Sequence, residues 1–533
     1  MIRQKYKNVQ KNRKNSSKND KKIVRNTKNR KIAVSFVFGY NMDKDKQIYP
    51  LTARILRPLR WEMNCIQVEI KGERSSFMKV AGIIAEYNPF HKGHQYHIEE
   101  TRKKTGADYV VVVMSGDYVQ RGEPAIADKY MRTRMALSGG ADLIIEMPAI
   151  YATASAEYFA TAGIGILDQL GCVDYLSFGS EWAEVEDFSA YATLFLEEPE
   201  EYKQILQEQL KSGKSFPEAR AFAAGNLLFN SKPEKAIEFL KEPNHILGLE
   251  YIKALKRRNS LIRPVVIKRK GNHYHENKLT ENYSSATAIR QEMYHFYRNF
   301  SRKNPYNTET CNSRKCGNTG KNTNNRVSNI YNNTYNKEKE APQAFEKALC
   351  GEYLPFIEGF LQNNFVTWED LMPYLDYTFL LKNKVIGKYF GMNLDLARRF
   401  QNIYEPGLSF EDLIEGLHAR QITDAALRRV LLHIVLHMKY YPFLEEAKDI
   451  PIPYARILGF SKSSSPLLKE IRQNATLDII QRPAEGKKLY SNGSAQAQIY
   501  SIDIRTADLY EQIAARKAGR KPISEYKRQQ VIR

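Results

Sequence analysis

A chain of 533 residues is too long for one ordinary hydrophobic core, so two or three folded units with tails are expected. Its formal net charge of +21 points to a polyanionic partner, because clustered Lys and Arg displace the counterions held by phosphates. Five irregularly spaced cysteines (Cys65, Cys172, Cys311, Cys316 and Cys350) exclude a secreted disulfide framework, and no run approaches the roughly 20 apolar residues of a membrane span. A cytoplasmic protein with no membrane partner is the expectation.

In chain order, residues 1–77 read as a basic disordered tail. Residues 1–31 carry thirteen Lys/Arg against the single acid Asp20, more than half of the excess charge, and lack the apolar stretch of a signal peptide. Because a strand opens directly after Met78, upstream sequence read through from an early start is the alternative for this segment. Residues 79–85, 109–114, 141–146, 174–179 and 263–268 predict short strands that are apolar over most of their length. Helical stretches separate them, the first over residues 93–105. Strands of this kind belong to a parallel sheet covered on both faces, so residues 78–300 predict an α/β, doubly wound parallel-sheet domain of Rossmann-like type.

Residues 301–340 hold eleven Asn and few apolar groups, which predicts a disordered insertion. Cys311 and Cys316 fall within it without a second Cys/His pair at zinc spacing, so no metal site is expected. Residues 341–445 carry apolar groups at helical spacing, notably Leu427, Val430, Leu431, Ile434 and Val435, and predict a helical domain. Residues 446–533 form a mixed region that the pattern does not place.

The chemistry concentrates in Glu86-Tyr87-Asn88-Pro89-Phe90-His91-Lys92-Gly93-His94, which follows a predicted strand and opens a predicted helix. The unpaired N–H groups of such a helix start favour phosphate, and Gly93 removes a side chain that would block a flat base or ribose. His91 and His94 can donate to phosphate oxygens as charge builds on departing pyrophosphate, which is electrostatic catalysis. His97, one helical turn on, reads as a helix-face residue. A second element, Ser284-Ser285-Ala286-Thr287-Ala288-Ile289-Arg290, offers the hydroxyls of Ser285 and Thr287 and the guanidinium of Arg290 as a clamp on the β- and γ-phosphates. A Ser before a helical run is equally an N-cap.

Together with Met114-Ser115-Gly116-Asp117-Tyr118-Val119-Gln120-Arg121-Gly122-Glu123-Pro124, Phe178-Gly179-Ser180-Glu181 and Pro243-Asn244-His245-Ile246-Leu247-Gly248, these runs resemble the bacterial tRNA(Met) cytidine acetate ligase family. That family lies within the HxGH nucleotidyltransferase superfamily, and the resemblance spans nearly everything from Met78 onward. It implies a nucleotidyltransferase domain followed by a mainly α-helical tRNA-binding region. It also implies activation of acetate by ATP to acetyl-adenylate, then acetyl transfer to the N4 amine of the wobble cytidine of elongator tRNA(Met). ATP is the co-substrate, with Mg2+ accompanying it and no dedicated protein metal site, and no obligate protein partner is implied.

By matching positions, the implied ATP site comprises Ile84, Ala85, Glu86, Tyr87, Asn88, Pro89, Phe90, His91, Lys92, Gly93, His94, Gln95, Tyr96, His97, Gly179, Asn244, Arg269 and Lys270. His91 and His94 are its catalytic pair. Arg420, Arg428 and Arg429, with His433 one turn later, are the candidate tRNA-backbone contacts, and a solvated charged face is their alternative reading. The family tends to carry a further basic residue near Ala426, where this sequence departs. Two other readings remain open on the residues alone: an adenylyltransferase acting on a small metabolite, and a non-catalytic RNA-binding protein.

Overall fold

The structure is a computed structural model, and it describes residues 78–182, 184–228, 233–270, 284–303, 345, 348–419, 422–441, 444, 452–490 and 493–533. The basic tail, most of the Asn-rich insertion, Cys311, Cys316 and Arg420 lie outside the described residues.

The strands are β1 (Val80–Ala85), β2 (Tyr109–Ser115), β3 (Tyr118–Val119), β4 (Glu123–Pro124), β5 (Leu143–Met147), β6 (Tyr175–Ser180), β7 (Arg263–Lys268), β8 (Tyr454–Phe460), β9 (Asp478–Ile480) and β10 (Val531–Ile532). The helices used below are α1 (Lys92–Thr105), α2 (Lys129–Ser138), α3 (Ala156–Gln169), α4 (Pro243–Arg257) and α5 (Ala286–Lys303). They continue with α6 (Leu354–Leu361), α7 (Trp368–Lys382), α8 (Leu394–Ile403), α9 (Phe410–Leu417), α10 (Asp424–Val435), α11 (Pro483–Leu489) and α12 (Ala495–Lys517).

The main sheet runs β10-β8-β5-β2-β1-β6-β7, with β9 paired to β8. From β5 to β7 every pairing is parallel, as the uninterrupted apolar strands predict. Side chains alternate faces along each strand, and they sort into two cores. Val111, Val113, Leu143 and Ile145 pack with Phe159 and Leu167 of α3, whereas Val110, Val112, Met114 and Ile144 pack with Ile98 of α1 and Leu137 of α2. Helices on both faces make the sheet doubly wound.

Strand order reverses between β1 and β6, so the crevice for a ligand lies beyond the carboxyl ends of these two strands. The mixed C-terminal region also joins this sheet: β8 runs antiparallel to β5, with Glu146 opposite Arg456. Helices α7 to α10 form a helical layer whose apolar groups Leu371, Phe400, Leu413 and Leu431 are continuous with the α3-side core. Among the described residues no helix is long and apolar enough to cross a membrane.

Candidate active site

The 86–91 loop is fixed from several sides before it reaches α1. Buried Asn88 accepts the N–H of Ile126 at Oδ1 (2.8 Å), and its backbone carbonyl accepts from Arg290 Nη1 (2.7 Å). Phe90 is fully buried and lies so close to Gly139 that a Cβ there would sit 2.3 Å from its ring. Burial pushes the Glu86 carboxyl up while Arg121 pulls it down, and Oε1 accepts the N–H of Gln120 at 2.9 Å. The carbonyl of Glu86 accepts from Arg132 Nη1 (2.7 Å), a wholly buried guanidinium that also bonds the carbonyls of Ser115 and Gly116. Arg132 thereby ties the ends of β1 and β2 together.

His91 and His94 cap the helix they begin. Nδ1 of His91 accepts the N–H of Gly93 (3.0 Å), and Nδ1 of His94 accepts the N–H of His91 (3.3 Å), a reciprocal capping box made of two imidazoles. Because both Nδ1 atoms are acceptors, each neutral ring carries its proton on Nε2. The rings stack with centroids 3.7 Å apart. Burial, with the positive fields of Arg269 and Arg290, lowers His91 to about 3, and burial with His91 and Arg269 lowers His94 well below its usual value. Both therefore stand at neutral pH as uncharged Nε2–H donors. Gly93 acquires a structural reason beside the expected one: a Cβ on it would lie 2.9 Å from Cε1 of His91.

The opposite wall comes from β6, β7 and α4. Gly179, Ser180 and Glu181 end β6, where Glu181 Oε1 accepts from Asn244 Nδ2 (2.5 Å) and lies 3.8 Å from Arg269 Nε. Buried His245 shares a hydrogen bond with Ser180 Oγ (3.0 Å). Arg269 lies against Gly179, is 42% exposed at its side chain, and is near enough to depress both His91 and His94, so its charge faces the crevice. Lys270 Nζ stands 4.5 Å from the ring centroid of Tyr96. Residues of β1, α1, β6, α4 and the segment after β7, far apart in sequence, thus meet at one mouth.

The remaining predicted residues take more specific places. His97 pairs with Ser177 Oγ (2.9 Å) and so pins α1 to β6. Gln95 bonds Glu99 along the helix. Ser285 Oγ accepts the N–H of Ala288 (3.1 Å) as a cap of α5, and Thr287 Oγ1 accepts from Arg121 Nη1 (3.0 Å). Arg290 contacts Asn88 and pairs with Glu123 (3.0 Å), which makes it a brace of the histidine loop. Arg428 lies over the ring of Phe410, and Arg429 Nη1 donates to the carbonyl of Gln120 (3.3 Å). His433 does not meet the RNA-contact expectation. It is 2% exposed, with its ring nitrogens 2.8 Å from the carbonyl of Phe390 and 3.0 Å from that of Thr153, one of which takes its single N–H, so it is a core histidine. Among the described residues no group of three or more His, Cys, Asp or Glu could hold a metal ion.

Sequence reasoning did not single out Arg132, Glu181 or His245 as members of this region. Glu181 and His245 stood inside quoted runs, and a carboxylate just past a strand end at the crevice was the usable signal. Arg132 gave none, since its partners are backbone carbonyls of other segments.

A parallel sheet with a histidine-capped helix at its switch point defines a nucleotidyl transferase, and a sequence model described as HIGH Nucleotidyl Transferase matches residues 78–524. Among similar curated proteins, the tRNA(Met) cytidine acetate ligase of Halothermothrix orenii is 35% identical over 456 residues, covering 83% of this chain and 98% of the relative. That of Thermoanaerobacter sp. (strain X514) is 33% identical over 444 residues, covering 81% and 95%. A crystal structure of Thermotoga maritima TmcAL superposes with a TM-score of 0.69 at 28% identity, covering 85% of this chain and 99% of the other; a second, bound with alpha-thio ATP, gives 0.68 at 27%. The chain belongs to the tRNA(Met) cytidine acetate ligase family of HIGH nucleotidyl transferases.

Proposed function

We propose that this chain activates acetate with ATP as acetyl-adenylate and transfers the acetyl group to the N4 amine of the wobble cytidine of elongator tRNA(Met), giving N4-acetylcytidine. The carrying observation is the pair of neutral Nε2–H donors held by the start of α1 at the strand-order reversal, beside the exposed charge of Arg269. The curated relatives' names and the ATP-analogue-bound neighbour support it.

In the first step a carboxylate oxygen of acetate attacks the α-phosphorus. The bond from that phosphorus to the bridging oxygen breaks, and pyrophosphate leaves with the electron pair. His91, His94 and Arg269 stabilise the growing negative charge without giving up a proton. In this reading Gly179 and Asn244 would border the nucleoside, and Lys92, Ser285 and Thr287 would face the phosphates, Ser285 and Thr287 from the start of α5. Mg2+ bound with the triphosphate would neutralise part of its charge. In the second step the N4 amine attacks the acetyl carbonyl, AMP departs on its phosphate oxygen, and the amine proton goes to solvent. Arg428 and Arg429 of α10, together with Arg420, are the proposed RNA-backbone contacts. A tRNA substrate fits a cytoplasmic location.

Protein incubated with ATP, acetate and tRNA(Met) is expected to yield AMP, pyrophosphate and N4-acetylcytidine by mass spectrometry of the digested RNA. ATP binding without modified nucleoside would overturn the assignment, and AMP transfer to a small metabolite would make the chain an adenylyltransferase.

A further inference from the structure

A second charged concavity lies on the C-terminal part of the chain. Arg482, Glu485 and Lys488, at and within α11, face Tyr526, Lys527 and Arg528 across a cleft of about 330 Å³. That volume falls within the range of small-ligand clefts. Two of its cations are balanced: Arg482 Nε pairs with Glu485 (2.9 Å), and Arg528 Nη2 with Glu511 (2.8 Å). Lys488 and Lys527 are exposed, and neither forms an ion pair among the described residues. Tyr526, next to Lys527 in the chain and in the same lining, is 36% exposed, with Lys487 Nζ 5.4 Å from its ring centroid.

Unbalanced lysines flanking an open aromatic ring match the chemistry of an RNA strand. Lysine supplies point charges to successive phosphates, and the ring offers a sequence-tolerant face to a base. The wall beside Tyr526 is rigid, because the adjacent residue Glu525 is buried and paired with Lys129 (2.6 Å).

We propose that this cleft is a second docking site for the RNA substrate, gripping backbone phosphate through Lys488 and Lys527 and stacking a base on Tyr526. The proposal rests on the tRNA reading given above. The test is tRNA(Met) binding by the full chain between 50 and 300 mM KCl, comparing wild type with Lys488→Glu/Lys527→Glu, Lys488→Arg/Lys527→Arg and Tyr526→Ala. The charge reversal is expected to weaken binding more than 10-fold at physiological salt and to flatten the slope of log K against log salt by about 1 to 2. Its thermal midpoint and RNA-independent acetyl-adenylate formation should stay at wild-type values. The arginine pair should retain the slope, and Tyr526→Ala should lose about 5- to 100-fold in affinity with the slope unchanged.

Unchanged affinity and slope in the charge reversal, with wild type binding tRNA normally, would overturn the docking site alone. So would a reversal that lowers calorimetric binding of inorganic phosphate or CMP while leaving tRNA binding intact, since the cleft would then be a small-anion site. Wild-type protein that binds tRNA in this cleft but never acetylates it would overturn the enzymatic reading and leave the docking site standing.

Discussion

His91 and His94 accept the helix-start N–H groups at Nδ1, which leaves the Nε2–H of each ring as its donor. Two tests follow from that arrangement. At pH 5.5 both imidazoles should remain neutral with the proton on Nε2, read from 15N chemical shifts; a midpoint near 6.5 for either ring would contradict the burial that depresses them. Replacing His94 by Ala should slow acetyl-adenylate formation by ~10²–10³-fold, the usual loss for one preorganised donor, while tRNA affinity is retained. His94→Gln keeps an acceptor for the N–H of His91 and should recover stability without recovering rate. The histidine motif was legible because strand, loop and helix start are contiguous. Arg132 was not, because its role exists only when β1 and β2 lie side by side.

Between residues and whole chain, the β3–β4 hairpin links three parts of the site. Gln120 donates its N–H to Glu86 and lends its carbonyl to Arg429, Arg121 holds Thr287, and Glu123 holds Arg290. At the tip Gly122 has φ +76°, its carbonyl accepts from Trp368 Nε1 (3.0 Å), and a Cβ on it would lie 2.4 Å from the backbone nitrogen of Arg429. Gly122→Ala therefore meets a backbone that cannot swing aside and a φ that L side chains rarely adopt. The variant should lower the thermal midpoint by several degrees and reduce acetyl transfer to tRNA more than adenylate formation. Equal loss of both half-reactions would mean that the hairpin serves the histidine loop alone. The five parallel strands were readable because burial on both faces demands unbroken apolar runs. β8 was not, since Arg456 interrupts its apolar pattern and its partner β5 precedes it by more than 300 residues.

At the scale of the molecule, that interrupting arginine explains how the C-terminus is held. Arg456 pairs with Glu146 (3.0 Å) and with Glu525, while Lys129 reaches Glu146 (2.6 Å) and Glu525 (2.6 Å), all with side chains no more than 5% exposed. Burying these charges is tolerable only because each meets another, so removing one leaves its partners underpaired. Glu525→Gln should lower unfolding free energy by about 3 kcal/mol in urea titrations at pH 7, with the loss expressed first as undocking of the final residues. Burial alone would raise the Glu525 carboxyl, yet Lys129 and Arg456 pull it from 4.5 down to about 2. A depressed carboxyl contributes fully above its unfolded value and loses that contribution as pH falls toward its folded value. The stability gap between wild type and Glu525→Gln should therefore narrow progressively as pH falls below 4.5. Asp117, raised to about 6 by burial, is pushed up further by the Glu525 charge, so Glu525→Gln also lowers Asp117 and the gap carries a smaller Asp117 contribution near pH 6. A gap that stayed constant down to pH 3 would show that Glu525 is held by packing rather than by its two cations.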